Sequence, residues 1–186
     1  MTNVLSHEKG GHATSSCMSR RNFLILGGAS VTVLGLLGAT GTALANAPEL
    51  VMSSYARKVV GKVSALKAGE SVEFSYPTDD IQNILVKLGE EAGGGVGEER
   101  DIVAFNTVCP HMGGIMDAGT FKASHSVLGP CPLHLSTFDL TKHGMVVFGH
   151  STESLPQIVL AIEGEDIGAT GVMGLCYGYS RNPSGA

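Results

Sequence analysis

Two short Cys–His pairs constrain the fold of this 186-residue chain more than any other feature of its sequence. Cys109 and His111 are spaced C-x-H within NTVCPHMGG, and Cys131 and His134 are spaced C-x-x-H within GPCPLHLSTFD. Proline and glycine occur in both strings, which is typical of loops. We therefore expect a fold in which two loops bring these four side chains to one point.

The donor set indicates a metal centre, because thiolates and imidazoles are ligands that transition metals prefer. A structural zinc site is one alternative, since zinc accepts two Cys and two His in tetrahedral geometry. Zinc sites usually pair C-x(2 to 4)-C with H-x(3 to 5)-H, whereas this chain has two mixed pairs. The spacing therefore differs from that of most structural zinc sites but leaves zinc open.

The rest of the sequence predicts an all-β fold. Short β-branched or alternating apolar segments recur every ten to fifteen residues, separated by Gly, Pro, Asp and Asn, which is typical of a sandwich or barrel. The acidic, glycine-rich stretch 90–100 is predicted to be the most flexible surface loop. The predicted strands are 57–63, 71–76, 83–88, 101–106, 125–129, 136–140, 144–150 and 156–164.

Charge and cysteine content exclude two classes of protein. The formal net charge of −5 argues against a nucleic-acid groove. Four cysteines in 186 residues are too few for a small disulfide scaffold.

The N-terminal segment 1–45 is interpreted as a targeting segment, which leaves one domain at 46–186. Arg20 and Arg21 precede an uncharged run at 23–45 that ends in small residues, and SRRNFLIL resembles a twin-arginine export signal. That resemblance implies export to the periplasm. Retention of 23–45 as a membrane anchor is the alternative, since its length suffices to span a bilayer.

The two Cys–His strings resemble the signature of the Rieske iron–sulfur proteins. The resemblance implies one [2Fe–2S] cluster, in which Cys109 and Cys131 hold the inner iron and His111 and His134 the outer iron. It also implies a Rieske-type antiparallel β-sandwich or barrel, with a small cluster-binding subdomain of two loops at about 105–140.

Four further positions are interpreted through the same resemblance. Ser136 stands where the family has a serine that donates its hydroxyl to a bridging sulfide, and Phe138 replaces a tyrosine of high-potential members. Quinol-oxidising members have a disulfide at positions that are Gly114 and Leu133 here, so packing and backbone hydrogen bonds must hold these loops.

The leader, CPHMGG, CPLHLSTFDL and CYGYSRNP together resemble the small subunits of arsenite oxidases. This resemblance implies an electron-transfer subunit that has no catalytic residues or substrate site of its own. Its partner would be a large molybdopterin-containing subunit, and a cytochrome c or small copper protein would accept the electrons.

Three other classes remain open at this stage. They are the Rieske subunit of a quinol-oxidising cytochrome complex, a ferredoxin of a ring-hydroxylating oxygenase, and a zinc-stabilised secreted module. The sequence gives no role to Cys176, which is predicted to be a buried unpaired thiol, and His125, His143 and His150 are predicted to be surface or strand residues.

Overall fold

A computed structural model describes residues 52–183, which form two antiparallel sheets. The strands are β1 (Met52–Lys62), β2 (Ser71–Ser75), β3 (Gln82–Lys87), β4 (Ile102–Asn106), β5 (Phe121–Lys122), β6 (Val127–Leu128), β7 (Thr137–Asp139), β8 (Met145–Phe148), β9 (Gln157–Glu163) and β10 (Asp166–Met173). The larger sheet has the strand order β1-β10-β9-β4-β3-β2, and the smaller sheet has the order β5-β6-β7-β8. Single 3-10 turns occupy Val63–Ala65, Ala118–Thr120, Ala123–His125 and Leu140–Lys142.

Strands β3 and β4 are buried on both faces because each face of the larger sheet packs against its own apolar cluster. Successive side chains of a strand point to opposite faces, so Ile84 enters one cluster and Leu85 the other. The first cluster also contains Cys109 and Cys131 together with Phe138 of β7. The loops that carry the two Cys–His pairs are thus packed against the larger sheet.

The predicted all-β class is confirmed, and all eight predicted strands are present. Two strands were not predicted. Strand β5 has only two residues. Strand β10 reads DIGATGVM, and its small residues leave no regular alternation of large apolar and polar side chains.

The acidic stretch 90–100 is a loop as predicted, but its backbone is fixed at several points. Ala92 is buried, its N–H donates to the carbonyl of Arg100, and the N–H of Gly93 donates to the carbonyl of Thr141. The side-chain amide of Gln157 donates to the Gly93 carbonyl at 2.8 Å. These bonds tie the loop to β9 of the larger sheet and to the 3-10 turn between β7 and β8.

The predicted targeting segment 1–45 lies outside the described residues. Within residues 52–183, none of the helices is long and apolar enough to cross a membrane.

Candidate functional site: two cysteine–histidine loops

The first Cys–His pair lies on a loop that is closed by its own backbone. The N–H of Cys109 donates to the carbonyl of Gly114 at 2.8 Å, and the N–H of Gly113 donates to the carbonyl of Cys109 at 2.9 Å. At the base of the loop, Met116 donates to Thr107 at 2.8 Å. This pattern buries Cys109 and leaves His111 half-buried near the tip.

The second loop repeats the same hydrogen-bond pattern. Cys131 N–H donates to the carbonyl of Ser136 at 2.9 Å, and Leu135 N–H donates to the carbonyl of Cys131 at 3.0 Å. Leu135 has a φ of 63° and Gly113, its equivalent in the first loop, has a φ of 74°. A leucine in the left-handed region is strained, so packing and backbone hydrogen bonds must hold this conformation.

The four side chains form an inner sulfur pair and an outer imidazole pair. Both thiols are buried and neither is part of a disulfide. The imidazole centroids of His111 and His134 are 4.8 Å apart, with the ring planes at 82°, and His134 is exposed. The structure therefore brings all four sequence-predicted ligands together, with the two thiols inside and the two imidazole rings nearer the surface.

Two observations fit a cofactor held by these residues. His111 Nδ1 is buried and has no hydrogen-bond partner among the described residues, which is costly for a polar atom unless it binds a ligand. Burial raises the pKa of the Cys109 thiol, while the backbone N–H groups of His111 and Met112 favour its thiolate. These N–H groups would stabilise a metal-bound thiolate, whose charge the metal also neutralises.

Within residues 52–183, no three His, Cys, Asp or Glu side chains surround a point suited to a single metal ion. A two-iron cluster does not need such a set, because each iron takes only two protein ligands.

Ser136 is fully buried behind the second loop, and its hydroxyl oxygen already accepts two hydrogen bonds. The donors are the backbone N–H groups of His150, at 3.2 Å, and Ser151, at 3.1 Å. A serine hydroxyl has two acceptor lone pairs and one donor hydrogen. Among the described residues this hydrogen has no acceptor, so it is available to a group bound between the loops.

Gly114 and Leu133 face each other across the two loops. A Cβ on Gly114 would lie 3.1 Å from Leu133 Cγ and 2.5 Å from Cys131 Sγ. The positions that the resemblance relates to a disulfide are therefore neighbours, and Leu133 packs over a glycine whose lack of a side chain leaves room for the sulfur. Phe138 is fully buried in the same cluster as the two cysteines.

His150 and Tyr177 adjoin the site but were not predicted to do so. The ring of His150 stacks on that of His111, with centroids 5.9 Å apart and planes at 25°. The ring of Tyr177 lies against Gly113, where a Cβ would be 2.5 Å from Tyr177 Cε1. Both contacts depend on how distant segments fold back, and local sequence carries no signal of them.

The segment that carries Tyr177 is fastened by side-chain hydrogen bonds. Asn182 donates to the carbonyl of Gly174 at 2.7 Å and accepts from the N–H of Cys176 at 2.9 Å. Tyr179 donates to Asp80 at 2.8 Å. The C-terminal segment thus closes over the first loop.

Neither of the other two histidines within residues 52–183 joins the site. His125 is exposed and contacts Ser124, and Nδ1 of His143 lies 2.7 Å from the side-chain oxygen of Gln157. Both are surface residues, as predicted.

Cys176 is buried, and burial raises the pKa of its thiol to about 11. Because the thiolate is the nucleophile, we expect iodoacetamide at pH 8 to leave Cys176 unmodified in the native chain and to modify it after unfolding in urea. Peptide mass spectrometry measures both states. Rapid native modification would contradict the buried, protonated thiol.

Comparison with known proteins agrees with this geometry. Residues 56–158 match the family model of the Rieske [2Fe–2S] domain. The fold is similar to that of the soluble domain of Rieske protein II from Sulfolobus acidocaldarius, with a TM-score of 0.61 at 24% identity. The match covers 70% of this chain and 85% of that domain.

Two curated relatives match nearly the whole chain. Iodate reductase subunit IdrB of Denitromonas iodatirespirans is 58% identical over 182 residues, which is 97% of this chain and 96% of the relative. The subunit of the same name from Pseudomonas sp. strain SCT is 55% identical over 176 residues, which is 95% and 90% of the two chains. The prediction that this chain is the small subunit of an arsenite oxidase is therefore wrong, because these relatives are iodate reductase subunits.

The cofactor that the family carries is one Rieske [2Fe–2S] cluster, whose function is electron transfer. With the fold, the paired loops and the family match in agreement, the chain belongs to the Rieske [2Fe–2S] domain family.

Proposed function

We propose that this chain is the electron-transfer subunit of an iodate reductase and that it supplies electrons to a larger catalytic subunit. The observation that carries the proposal is its similarity to two iodate reductase subunits over nearly the whole length of each chain. A reductase consumes electrons. A cytochrome c or small copper protein would therefore act as electron donor to this chain, in place of the acceptor role that the sequence suggested.

Four residues would hold the cluster, with Cys109 and Cys131 on the inner iron and His111 and His134 on the outer iron. The bound cluster accepts and releases one electron. The chain keeps the sulfur side away from water and presents the imidazole of His134 at the surface. Electron transfer to a partner would take place through that exposed imidazole edge.

The chain would leave substrate reduction to its partner. Removing one oxygen atom from an oxyanion consumes two electrons and two protons and releases one water molecule. A one-electron centre must therefore be reduced twice for each oxygen atom removed, and the catalytic subunit must store the first electron. A molybdopterin in that subunit stays a prediction, which metal analysis of the purified complex would test.

The proposal is tested on the complex purified from the host with a tag on this chain. After dithionite reduction and removal of excess reductant, adding iodate should abolish the electron paramagnetic resonance (EPR) signal of the reduced cluster. Adding arsenite to the oxidised complex should not produce that signal. Absence of a co-purified catalytic subunit, or a signal that persists with iodate, would contradict the proposed function.

We further propose export to the periplasm through the twin-arginine pathway. Replacing Arg20 and Arg21 with lysine should leave the chain in the cytoplasmic fraction on immunoblotting. Normal export of this double variant would contradict the proposed route.

We expect Ser136→Ala to lower the reduction potential while the cluster stays bound. The serine hydroxyl would donate to the cluster and stabilise the more negative reduced form. Each ~1.4 kcal/mol by which the hydroxyl stabilises the reduced cluster over the oxidised cluster corresponds to about 59 mV for a one-electron couple. Redox titration followed by EPR measures the potential.

Ser151→Ala is the matched control, because the Ser151 hydroxyl donates to the carbonyl of Glu153 instead. Its backbone N–H still reaches Ser136. An equal potential in the wild-type and Ser136→Ala proteins would refute the hydrogen bond to the cluster.

A further inference from the structure

Strand β8 (Met145–Phe148) forms one edge of the smaller sheet, and only one of its sides is paired. It pairs with β7 alone, so along its outer side the backbone N–H and C=O groups have no strand partner among residues 52–183. Such an edge can accept an additional strand from another chain.

The side chains of β8 carry no charge that would protect this edge, and a single β-bulge at Val147 interrupts its pairing with β7. Met145, Val147 and Phe148 are 56%, 53% and 64% exposed, respectively. Edge strands usually carry charged residues or proline, which prevent unwanted pairing. No charged residue or proline occurs from Gly144 to Thr152.

The three other edge strands of the two described sheets do carry charges. Strand β1 contains Arg57, Lys58 and Lys62, β2 contains Glu73, and β5 contains Lys122. Strand β8 is therefore the only apolar, uncharged edge among the four. Apolar side chains that are exposed together along an uncharged edge favour contact with another chain.

The end of β8 is continuous with the histidine edge of the cluster loops. Gly149 and His150 follow Phe148 directly, the His150 ring stacks on that of His111, and the backbone of His150 donates to Ser136. A chain paired with β8 would therefore lie beside the imidazoles through which an electron leaves.

We propose that an extended, apolar segment of the catalytic subunit adds to β8 as a fifth strand of the smaller sheet. This inference rests on the proposed function, because it takes the occupant to be the protein that receives the electrons. A second copy of this chain is the less favourable occupant. Residues 46–186 contain 9 basic and 16 acidic residues, a net charge of −7, and like charge opposes self-association.

The pairing would do two things at once. Backbone hydrogen bonds to β8 would fix the partner's position along the strand, and the apolar side chains would be removed from water. The fixed position of the partner on β8 would then hold His134 and His150 at a constant distance from the partner's electron acceptor. Repeated one-electron transfers require such a constant distance.

Val147→Lys tests the edge, and Val59→Lys is its matched control. Val59 is 50% exposed and lies on β1, the edge strand of the other sheet. In tagged complexes purified from the host, we expect Val147→Lys to weaken binding of the catalytic subunit at least about tenfold, because a lysine would be buried without a partner. Val59→Lys should bind as the wild type does, and both variants should keep the Rieske EPR signal.

Hydrogen exchange tests the backbone pairing directly. Amides of residues 144–150 should exchange more slowly in the wild-type complex than in the isolated chain, whereas those of β1 should not change. Equal binding by Val147→Lys and wild type, or unchanged exchange at 144–150, would overturn the proposal while leaving the proposed function intact.

Two other outcomes also overturn it. If the isolated wild-type chain is a dimer by light scattering and Val147→Lys is a monomer, the occupant of β8 is a second copy. If no catalytic subunit co-purifies with the wild-type chain, the proposed function fails and the assigned occupant fails with it.

Discussion

Cys131→Ser is expected to remove the cluster, so that the purified chain loses its iron, its visible absorption and its EPR signal. The inner iron would depend on two buried thiolates, and a serine hydroxyl is a harder and much less acidic donor that soft metal sites disfavour. The cluster would also connect the two loops, each of which is closed by backbone hydrogen bonds of its own. We therefore expect both loops to lose protection against hydrogen exchange as well.

Cys176→Ser is the control for this result. Cys176 is as buried as Cys131, with 2% and 1% of their surfaces exposed, but it lies outside both Cys–His loops and packs in the other apolar cluster. Iron content should stay at wild-type level in this variant. Iron retained in Cys131→Ser, or lost in Cys176→Ser, would contradict the assignment of the sulfur ligands.

The strands that sequence could predict are those whose residues carry an apolar signal. Strands β3, β4 and β9 lie within one residue of the predicted bounds because their side chains fill the two cores. Strand β10 gave no such signal, because it contains Gly168 and Gly171 where larger side chains would collide with Arg57 and with the Ser53 carbonyl. Close contact with β1 selects small residues there.

The four candidate ligands were predictable because residue type and spacing are local properties. The proximity of His150 was not, because it depends on the irregular register of β7 and β8, which shifts between Thr137 and Phe138. The same holds for Tyr177, which lies against Gly113 on a segment that the Asn182 and Tyr179 hydrogen bonds fasten.

The substrate of the assembly was not predictable from these motifs for a physical reason. A one-electron centre is selected for its ligands, its potential and its docking surface, and none of these would contact the substrate of the proposed catalytic subunit. Iodate and arsenite would be distinguished by residues of another chain. The Cys–His loops therefore identified the cofactor, whereas the choice of arsenite oxidase was wrong.

Gly149→Ala should destabilise the folded chain by roughly 3 kcal/mol or more and should also lower the reduction potential. Gly149 has a φ of 96°, and a Cβ there would lie 2.6 Å from the backbone nitrogen of Ser136. Left-handed strain costs about 1–2 kcal/mol and overpacking roughly 1–3 kcal/mol. Relief of the collision would move the N–H groups of His150 and Ser151 away from Ser136, which would reorient its hydroxyl.

Gly164→Ala separates the collision from the backbone strain. Gly164 has a φ of 61° in the turn between β9 and β10, and a Cβ there would meet no atom within 4 Å. This variant should lose only about 1 kcal/mol and keep the wild-type potential. Denaturant unfolding and redox titration of the two variants measure both effects. Equal losses of stability would mean that close packing of Gly149 against Ser136 does not hold the second loop in place.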